Sequence, residues 1–181
     1  YEQASDKHLF VINFRYIHML SNENGWAAST DHLYITKDGG ENWKDVTPPT
    51  DNGYNNLLIH TFILNTESAW VIDPINYSTN GTLYSTKNGG KTWTKEKVPF
   101  DSRPFFIKSN RHIYGWSFEK GALTGNQPVS IYVSKDGEPW YQIYHYKKAP
   151  ITKGELPYQG RKPGASFRLD GQVGWIPIAL P

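Results

Sequence analysis

The chain has 181 residues, of which 20% are charged, with a formal net charge of +2 and no cysteine. This length suits one domain with a substantial core, and the absence of any run of like charges excludes the basic surface that a nucleic-acid partner requires. Without cysteine there are no disulfides, thiolate metal sites or cysteine nucleophiles, and without an apolar run of roughly 18 residues we expect no membrane insertion.

The composition and the order of apolar stretches predict short strands joined by tight turns. Aromatic residues make up 15% of the chain, beside 16 glycines and 12 prolines, a mixture typical of many short strands. In chain order, the four predicted units begin with the alternating or apolar stretches 14–20, 57–64, 105–108 and 166–169. Each stretch precedes a strand that contains tryptophan, at residues 25–28, 69–72, 114–117 and 173–176.

Three of the tryptophan strands are followed by a repeated motif. Its copies are residues 36–43 (TKDGGENW), residues 86–93 (TKNGGKTW) and residues 134–140 (SKDGEPW), the last one residue shorter. Reading the motif as a hairpin between a third and a fourth strand gives units of four strands. A period of about 40 to 50 residues with four strands is typical of a β-propeller blade.

The residue types of the motif indicate a structural role. Glycine supplies positive φ in a tight turn, Asp or Asn accepts hydrogen bonds from the turn's own amides, and tryptophan packs the hairpin onto its sheet. The predicted structural residues are Thr36, Asp38, Gly40, Trp43, Thr86, Asn88, Gly90, Trp93, Ser134, Asp136 and Trp140. A calcium loop is the alternative, but its ligands spread over about twelve residues with a closing glutamate, and that spacing is absent. We therefore predict no metal site and no cofactor.

The motif Ser/Thr-x-Asp-x-Gly-x-x-Trp resembles the Asp box, or BNR repeat, of sialidases, sortilin-type receptors, xyloglucanases and bacterial surface proteins. The longer phrase from Gly25-Trp26-Ala27 to residues 35–43 is most similar to the photosystem II assembly and stability factor family and its non-photosynthetic bacterial relatives. The resemblance runs from about Phe14 to Trp175 and implies an all-β fold, a β-propeller of four-stranded antiparallel blades. It implies little about activity, because Asp boxes lie at the blade periphery of unrelated proteins.

A single propeller domain, or propeller fragment, over residues 1–181 follows from this reading. Its blades are predicted at residues 14–49, 57–100, 105–146 and, in part, 165–181, about three and a half in all. Because propellers normally close their ring, we expect either a fragment of a longer propeller or two copies that associate to complete one.

For function, the sequence favours a non-catalytic binding or assembly scaffold that recognises a protein or a glycan. The expected location is extracellular or in the cell envelope of a bacterium. The loops opposite the Asp boxes are long, and long loops on a rigid scaffold are where binding sites usually occur. Their candidate binding residues are Tyr54, Asp73, Tyr77, Arg103, Glu119, Tyr158 and Arg161.

The alternative is a glycoside hydrolase, sialidase-like or acting on another glycan. The resemblance to sialidases would imply an Arg-Ile-Pro motif, and the nearest match, Arg15-Tyr16-Ile17, lacks both the following isoleucine and the proline. A glycosidase also needs two carboxylates across a cleft, a spacing that the sequence does not reveal. No catalytic residue is therefore assigned.

Overall fold

The computed structural model describes residues 12–50, 61–74, 80–100, 112–118, 129–135, 138–145, 166–167 and 174–175. Within these ranges the chain is all-β, and its strands form four separate antiparallel sheets without a helix. Accordingly, no helix in these ranges is long and apolar enough to cross a membrane.

The first two sheets each contain four strands that pair in chain order. Sheet 1 consists of β1 (Tyr16–Met19), β2 (Gly25–Ala28), β3 (Leu33–Thr36) and β4 (Lys44–Asp45). Sheet 2 consists of β5 (Thr61–Ile63), β6 (Ala69–Pro74), β7 (Gly81–Thr86) and β8 (Thr94–Val98). The predicted unit of four antiparallel strands is thus confirmed in both sheets, with the repeated motif between the third and fourth strands.

The remaining strands form two smaller groups. Sheet 3 contains β9 (His112–Phe118), β10 (Val129–Lys135) and β11 (Tyr141–His145), and sheet 4 pairs β12 (Ser166–Phe167) with β13 (Gly174–Trp175). The strand predicted at residues 105–108 lies outside the described residues.

The pairing register differs between the third sheet and the first two. Trp26 stands opposite Ile35 and Trp70 opposite Ser85, each one residue before the threonine that opens the turn. In sheet 3 the corresponding residue, Val133, stands opposite Tyr114, whereas the sequence motif aligns Trp116 with the other tryptophans. The offset is two residues, so in sheet 3 the residue before the turn pairs with Tyr114 instead of with the tryptophan.

Sheets 1 and 2 share a hydrophobic core. Sheet 1 contributes Trp26, Ala28, Leu33 and Ile35, with Val46 just beyond β4, and sheet 2 contributes Ala69, Val71 and Tyr84, with Trp93 packed against them. Trp26, Leu33 and Val71 are fully buried. The members alternate along β2, β3 and β6, as expected when one face of each strand meets the neighbouring sheet.

The opposite face of sheet 2 packs towards sheet 3. Trp70, Ile72, Leu83, Val98 and Phe100 form a second buried cluster. From sheet 3, Tyr132 and Trp140 pack against it, and the Trp140 ring meets Phe100 edge to face at a centroid distance of 4.9 Å. Sheet 2 is therefore covered on both faces, which explains why residues 69–72 of β6 are all buried.

Two indole hydrogen bonds join sheets 1 and 2. Trp26 Nε1 donates to the carbonyl of Asn65, in the β5–β6 turn, at 3.1 Å. In the other direction, Trp93 Nε1 donates to the carbonyl of Val46, beyond β4, at 2.9 Å. Each sheet thus supplies one tryptophan that satisfies a backbone carbonyl of the other, which fixes their relative position as well as their spacing.

Replacing Trp93 by Phe tests this junction. The variant keeps an aromatic ring but leaves the Val46 carbonyl without its indole donor, so we expect the free energy of unfolding to fall by about 1 to 3 kcal/mol. Trp43→Phe is the matched control, because among the described residues the Trp43 indole nitrogen has no hydrogen bond. Urea denaturation of both variants measures the difference, and an equal loss in both would contradict the assigned role of the Trp93 hydrogen bond.

Candidate functional site

The turn after β3 is held by the hydroxyl of Thr36 and the carboxylate of Asp38. Thr36 Oγ1 donates to Asp38 Oδ1 at 2.8 Å and accepts from the amide of Gly40 at 2.9 Å. Asp38 in turn accepts from the backbone amide of Asn42 at 2.9 Å and from its side-chain amide at 2.8 Å. The polar groups of residues 36–43, the first turn, thus satisfy one another within the turn.

The turn after β7, residues 86–93, repeats this network without a carboxylate. Thr86 Oγ1 donates to Asn88 Oδ1 at 3.0 Å and accepts from the Gly90 amide at 2.9 Å. Asn88 Oδ1 accepts from the Thr92 amide at 3.0 Å, and Asn88 Nδ2 donates to Thr92 Oγ1 at 2.7 Å. Because an amide oxygen serves as well as a carboxylate, the turn uses the acceptor and does not require the negative charge.

Both turns are also attached to the neighbouring hairpin of their own sheet. The amide of Gly39 donates to the carbonyl of Glu23 at 2.8 Å, and that of Gly89 donates to the carbonyl of Glu67 at 2.9 Å. Gly39 and Gly40 have φ values of 74° and 95°, and the two glycines of the second turn have 67° and 75°. Glycine adopts such angles at little cost, which is why two glycines recur here.

In the third turn, residues 134–140, the polarity of one contact is reversed. Ser134 Oγ donates to the carbonyl of Glu138 at 2.6 Å, whereas the threonines of the first two turns accept from the amide of the residue four positions on. Asp136 lies outside the described residues. In the motif without a second glycine, a backbone carbonyl thus faces the hydroxyl that opens the turn, where the first two turns present a backbone amide.

The Asp38 carboxyl group has a pKa of about 2, below its ordinary value of 3.8. The main cause is the hydrogen bond from the Asn42 amide, followed by those from the Asn42 side chain and Thr36. Since donors to a carboxylate favour its charged form, Asp38 stabilises the fold above its unfolded-state pKa. That contribution is lost as the pH falls from about 4 towards 2.

Asp38→Asn separates the charge from the geometry. Asn88 accepts from the threonine hydroxyl and from the amide four positions on as Asp38 does, and a flip of the Asn42 side-chain amide lets its oxygen accept from the new amide group. We therefore expect Asp38→Asn to keep the wild-type stability near neutral pH and to lose less stability than wild type between about pH 4 and pH 2. Urea unfolding at both pH values measures this. Asp38→Ala, the control without an acceptor, should be less stable already at neutral pH, and equal losses in the two variants would show that the hydrogen bonds do not matter.

Glycine substitutions distinguish backbone strain from packing in the turns. A Cβ atom at Gly40 would meet only the Trp43 ring, at 3.5 Å, whereas one at Gly90 would lie 2.5 Å from Val46 Cβ. We expect Gly40→Ala to lower the free energy of unfolding by about 1 to 2 kcal/mol from the positive φ alone. Gly90→Ala should lose a further 1 to 3 kcal/mol, roughly, from overpacking. Thermal unfolding compares them, and equal effects would contradict the close contact of the second turn with Val46.

At the opposite end of sheet 1 lies a polar group of five residues, which we term the His32 cluster: Ser29, Asp31, His32, Asp45 and Thr47. His32 Nδ1 lies 2.7 Å from Asp45 Oδ2, and Nε2 lies 3.7 Å from Asp31 Oδ2. Thr47 Oγ1 donates to the other Asp45 oxygen at 2.6 Å, and Ser29 Oγ donates to Asp31 Oδ1 at 3.2 Å. The side chains of His32 and Asp45 are each 47% exposed, so the cluster presents its polar atoms at the surface.

The pKa shifts of Asp45 and Tyr34 reflect burial, hydrogen bonding and charge at this end of sheet 1. Burial raises the pKa of Asp45, but the hydrogen bonds from the Thr47 hydroxyl and amide and from His32 outweigh it, and the net shift is downward. Burial raises the pKa of Tyr34, and the negative charges of Asp45 and Asp31 add to the effect. The cluster therefore holds an ionised Asp45 beside a neutral phenol at neutral pH.

Of the seven candidate binding residues, Asp73 lies within the described structure. It is at the end of β6, and Thr50 Oγ1 donates to its Oδ2 at 2.9 Å. This contact ties the segment after sheet 1 to sheet 2 at the same end as the His32 cluster. The remaining candidates lie outside the described residues: Tyr54, Tyr77, Arg103, Glu119, Tyr158 and Arg161.

The His32 cluster was not among the sequence candidates, because β3 and the first turn separate His32 from Asp45 along the chain. Only the register of β3 against β4, in which Tyr34 stands opposite Asp45, brings residue 45 next to the loop that carries His32. The sequence signal is a histidine just before β3, His32, together with an aspartate at the end of the strand that pairs with β3, Asp45. It becomes informative once the hairpin register is known.

Chemically, the cluster offers hydrogen-bond donors and acceptors rather than an activated nucleophile. The Ser29 hydroxyl is engaged by Asp31 and by the amide of His32, and the imidazole faces a carboxylate at each nitrogen. The Thr47 hydroxyl lies 3.5 Å from His32 Nδ1 but makes its short contact, at 2.6 Å, as a donor to Asp45. Nucleophilic catalysis requires a hydrogen bond from the nucleophile to the imidazole base. Among the described residues, no group of three or more histidine or acidic side chains is placed to hold a metal ion.

Comparison with known proteins does not add to this description. No family model matches the chain, and neither the curated proteins nor the solved structures contain a match.

Proposed function

We propose that this chain is a non-catalytic binding scaffold built from Asp-box propeller blades. It recognises a protein or a glycan through the loop end, by which we mean the end of the sheets that carries the His32 cluster and Asp73. The proposed location of the protein is the extracellular space or the cell envelope. The stacking of successive four-stranded antiparallel sheets supports the propeller assignment, because each blade of a propeller packs on the next.

The observation that carries the proposal is that three described aspartates, one in the first turn and two at the loop end, have structural partners. Asp38 accepts from Asn42, Asp45 from Thr47, and Asp73 from Thr50. A glycosidase needs a carboxyl group whose pKa is raised so that it can donate a proton. The pKa values of Asp38 and Asp45 are both shifted downward instead. The scaffold role therefore fits these groups better than the hydrolase alternative.

Self-association is also part of the proposal. Tyr34 and Trp43 of sheet 1 correspond to Tyr84 and Trp93 of sheet 2, which pack on the preceding sheet. On sheet 1 both rings pack against Phe14, at centroid distances of 5.4 Å and 4.9 Å, and the Tyr34 ring also lies 6.0 Å from that of His32. A neighbouring blade, supplied by a second copy of the chain, would cover this flank in the way that sheet 1 covers sheet 2.

A glycan array combined with a hydrolysis assay tests the scaffold role. We expect the labelled chain to bind immobilised glycans without releasing product from fluorogenic glycosides. His32→Ala should weaken binding about tenfold, because it removes charge-assisted hydrogen bonds from the loop end. Lys87→Ala, an exposed change at the turn end, is the matched control and should leave binding unchanged.

Two results would contradict the proposal. Hydrolysis that disappears when a carboxylate is replaced would establish the enzyme alternative. Binding that survives His32→Ala but fails in Lys87→Ala would place recognition at the wrong end of the sheets. If no glycan binds, we predict a protein ligand. Crosslinking through a cysteine introduced at position 31 should then capture that protein, and His32→Ala should lower the yield of the crosslinked product.

A further inference from the structure

A cleft of about 840 Å³ separates the outer strand of sheet 2 from the third turn. Its walls include Glu96, Val98, Pro99, Pro139 and Trp140. This volume falls in the range of roughly 300 to 1,000 Å³ that is usual for small-molecule sites. We refer to it as the Trp140 cleft, and it is distinct from the His32 cluster, which lies on sheet 1.

The equivalent space between sheets 1 and 2 is filled. There the second turn packs directly on the chain beyond β4, so closely that a Cβ atom at Gly90 would lie 2.5 Å from Val46 Cβ. The third turn is one residue shorter, has no second glycine, and directs the Glu138 carbonyl to Ser134. The cleft thus arises where the repeat departs from its own pattern.

The apolar wall of the cleft is rigid and aromatic. Trp140 is partly buried and is braced edge to face by Phe100, at a centroid distance of 4.9 Å and an interplanar angle of 76°. Proline rings at positions 99 and 139 have fixed φ and little freedom to lose on binding. A braced indole flanked by prolines is a platform on which the C–H face of a sugar ring can pack.

The polar wall is supplied by β8. Glu96 shares a strand face with Val98, which packs towards sheet 3, so its side chain extends on the side of the cleft. Among the described residues its carboxylate has no hydrogen-bond or ion-pair partner. A carboxylate next to an aromatic platform can accept hydrogen bonds from two neighbouring hydroxyl groups.

The charges on β8 select between a neutral and a cationic ligand. Lys95 and Lys97 flank Glu96, and Lys97 Nζ is held by Thr82 Oγ1 at 2.7 Å. Because side chains alternate along a strand, both lysine side chains extend from the opposite face of β8, and only their long-range positive field disfavours an ammonium or guanidinium ligand at Glu96. Neutral hydroxyl groups meet no such repulsion and can donate to the carboxylate.

We propose that the Trp140 cleft binds a neutral hexose-type saccharide, with Trp140 packing against the sugar ring and Glu96 accepting hydrogen bonds from its hydroxyl groups. This inference does not rest on the loop-end function. It assigns a glycan site to the outer edge of the sheets, in a position where sheets 1 and 2 offer no space.

Titration with neutral tetrasaccharides of glucose, mannose, galactose and N-acetylglucosamine tests the inference by calorimetry and tryptophan fluorescence. At least one of them should bind. Glu96→Ala should raise its Kd about tenfold or more, because the hydrogen bonds to a charged acceptor are lost. Trp140→Ala should abolish the binding and the fluorescence change. Glu41→Ala, which removes an exposed glutamate from the first turn, and Trp43→Ala are the matched controls and should bind as wild type does.

Three results would overturn the assignment: no binding of any of the four tetrasaccharides, binding unaffected by Glu96→Ala, or Glu96-dependent binding of a trilysine peptide in place of the sugars. Glu96 is exposed, so its replacement tests the site even if Trp140→Ala fails to fold. Sugar binding that His32→Ala weakens and Glu96→Ala does not would assign the sugar to the loop end instead of the cleft.

Discussion

The hydrogen bond from the Trp93 indole to the Val46 carbonyl is the contact on which the arrangement of sheets 1 and 2 depends. A four-stranded sheet that is apolar on both faces cannot remain isolated in water, and burial alone would bring two such sheets together without fixing their offset. The indole fixes that offset, because it must reach one particular carbonyl, and Trp26 does the same in the other direction through Asn65. The shared core of Leu33, Val71 and Tyr84 then packs in register around these two points.

The geometry of the repeated turn positions this tryptophan. Trp93 closes a turn whose geometry is set by the Thr86 hydroxyl, by the Asn88 oxygen and by glycines with positive φ. The conspicuous polar residues of the motif therefore act on the backbone of their own turn, where Asp38 and Asn88 supply the same acceptor oxygen. The ligand-accessible chemistry lies elsewhere, in the His32 cluster at the opposite end of sheet 1 and in the cleft beside Trp140.

Most of the architecture could be predicted from the sequence, because strand length, alternation and turn residues are local signals. The four-stranded antiparallel units and the turns between their third and fourth strands follow from residues 16–45 and 61–98. The proximity of His32 to Asp45 could not be predicted in this way, since it depends on a hairpin register. The two-residue offset that places Tyr114 opposite Val133 and the cleft above Glu96 both arise in the third repeat. There the motif is degraded, and the pattern of the first two repeats is a poor guide.

Hydrogen exchange of the indole protons, followed by NMR, tests the central claim that sheets 1 and 2 form one cooperative stack. The Trp26 and Trp93 indole protons both donate to carbonyls across the junction, so the account predicts that both are protected and that they exchange at the same rate, through the same opening. The Trp43 indole proton, which has no hydrogen bond among the described residues, should exchange much faster. Exchange of either junction proton at the rate of an exposed indole, or at two clearly different rates, would contradict the account.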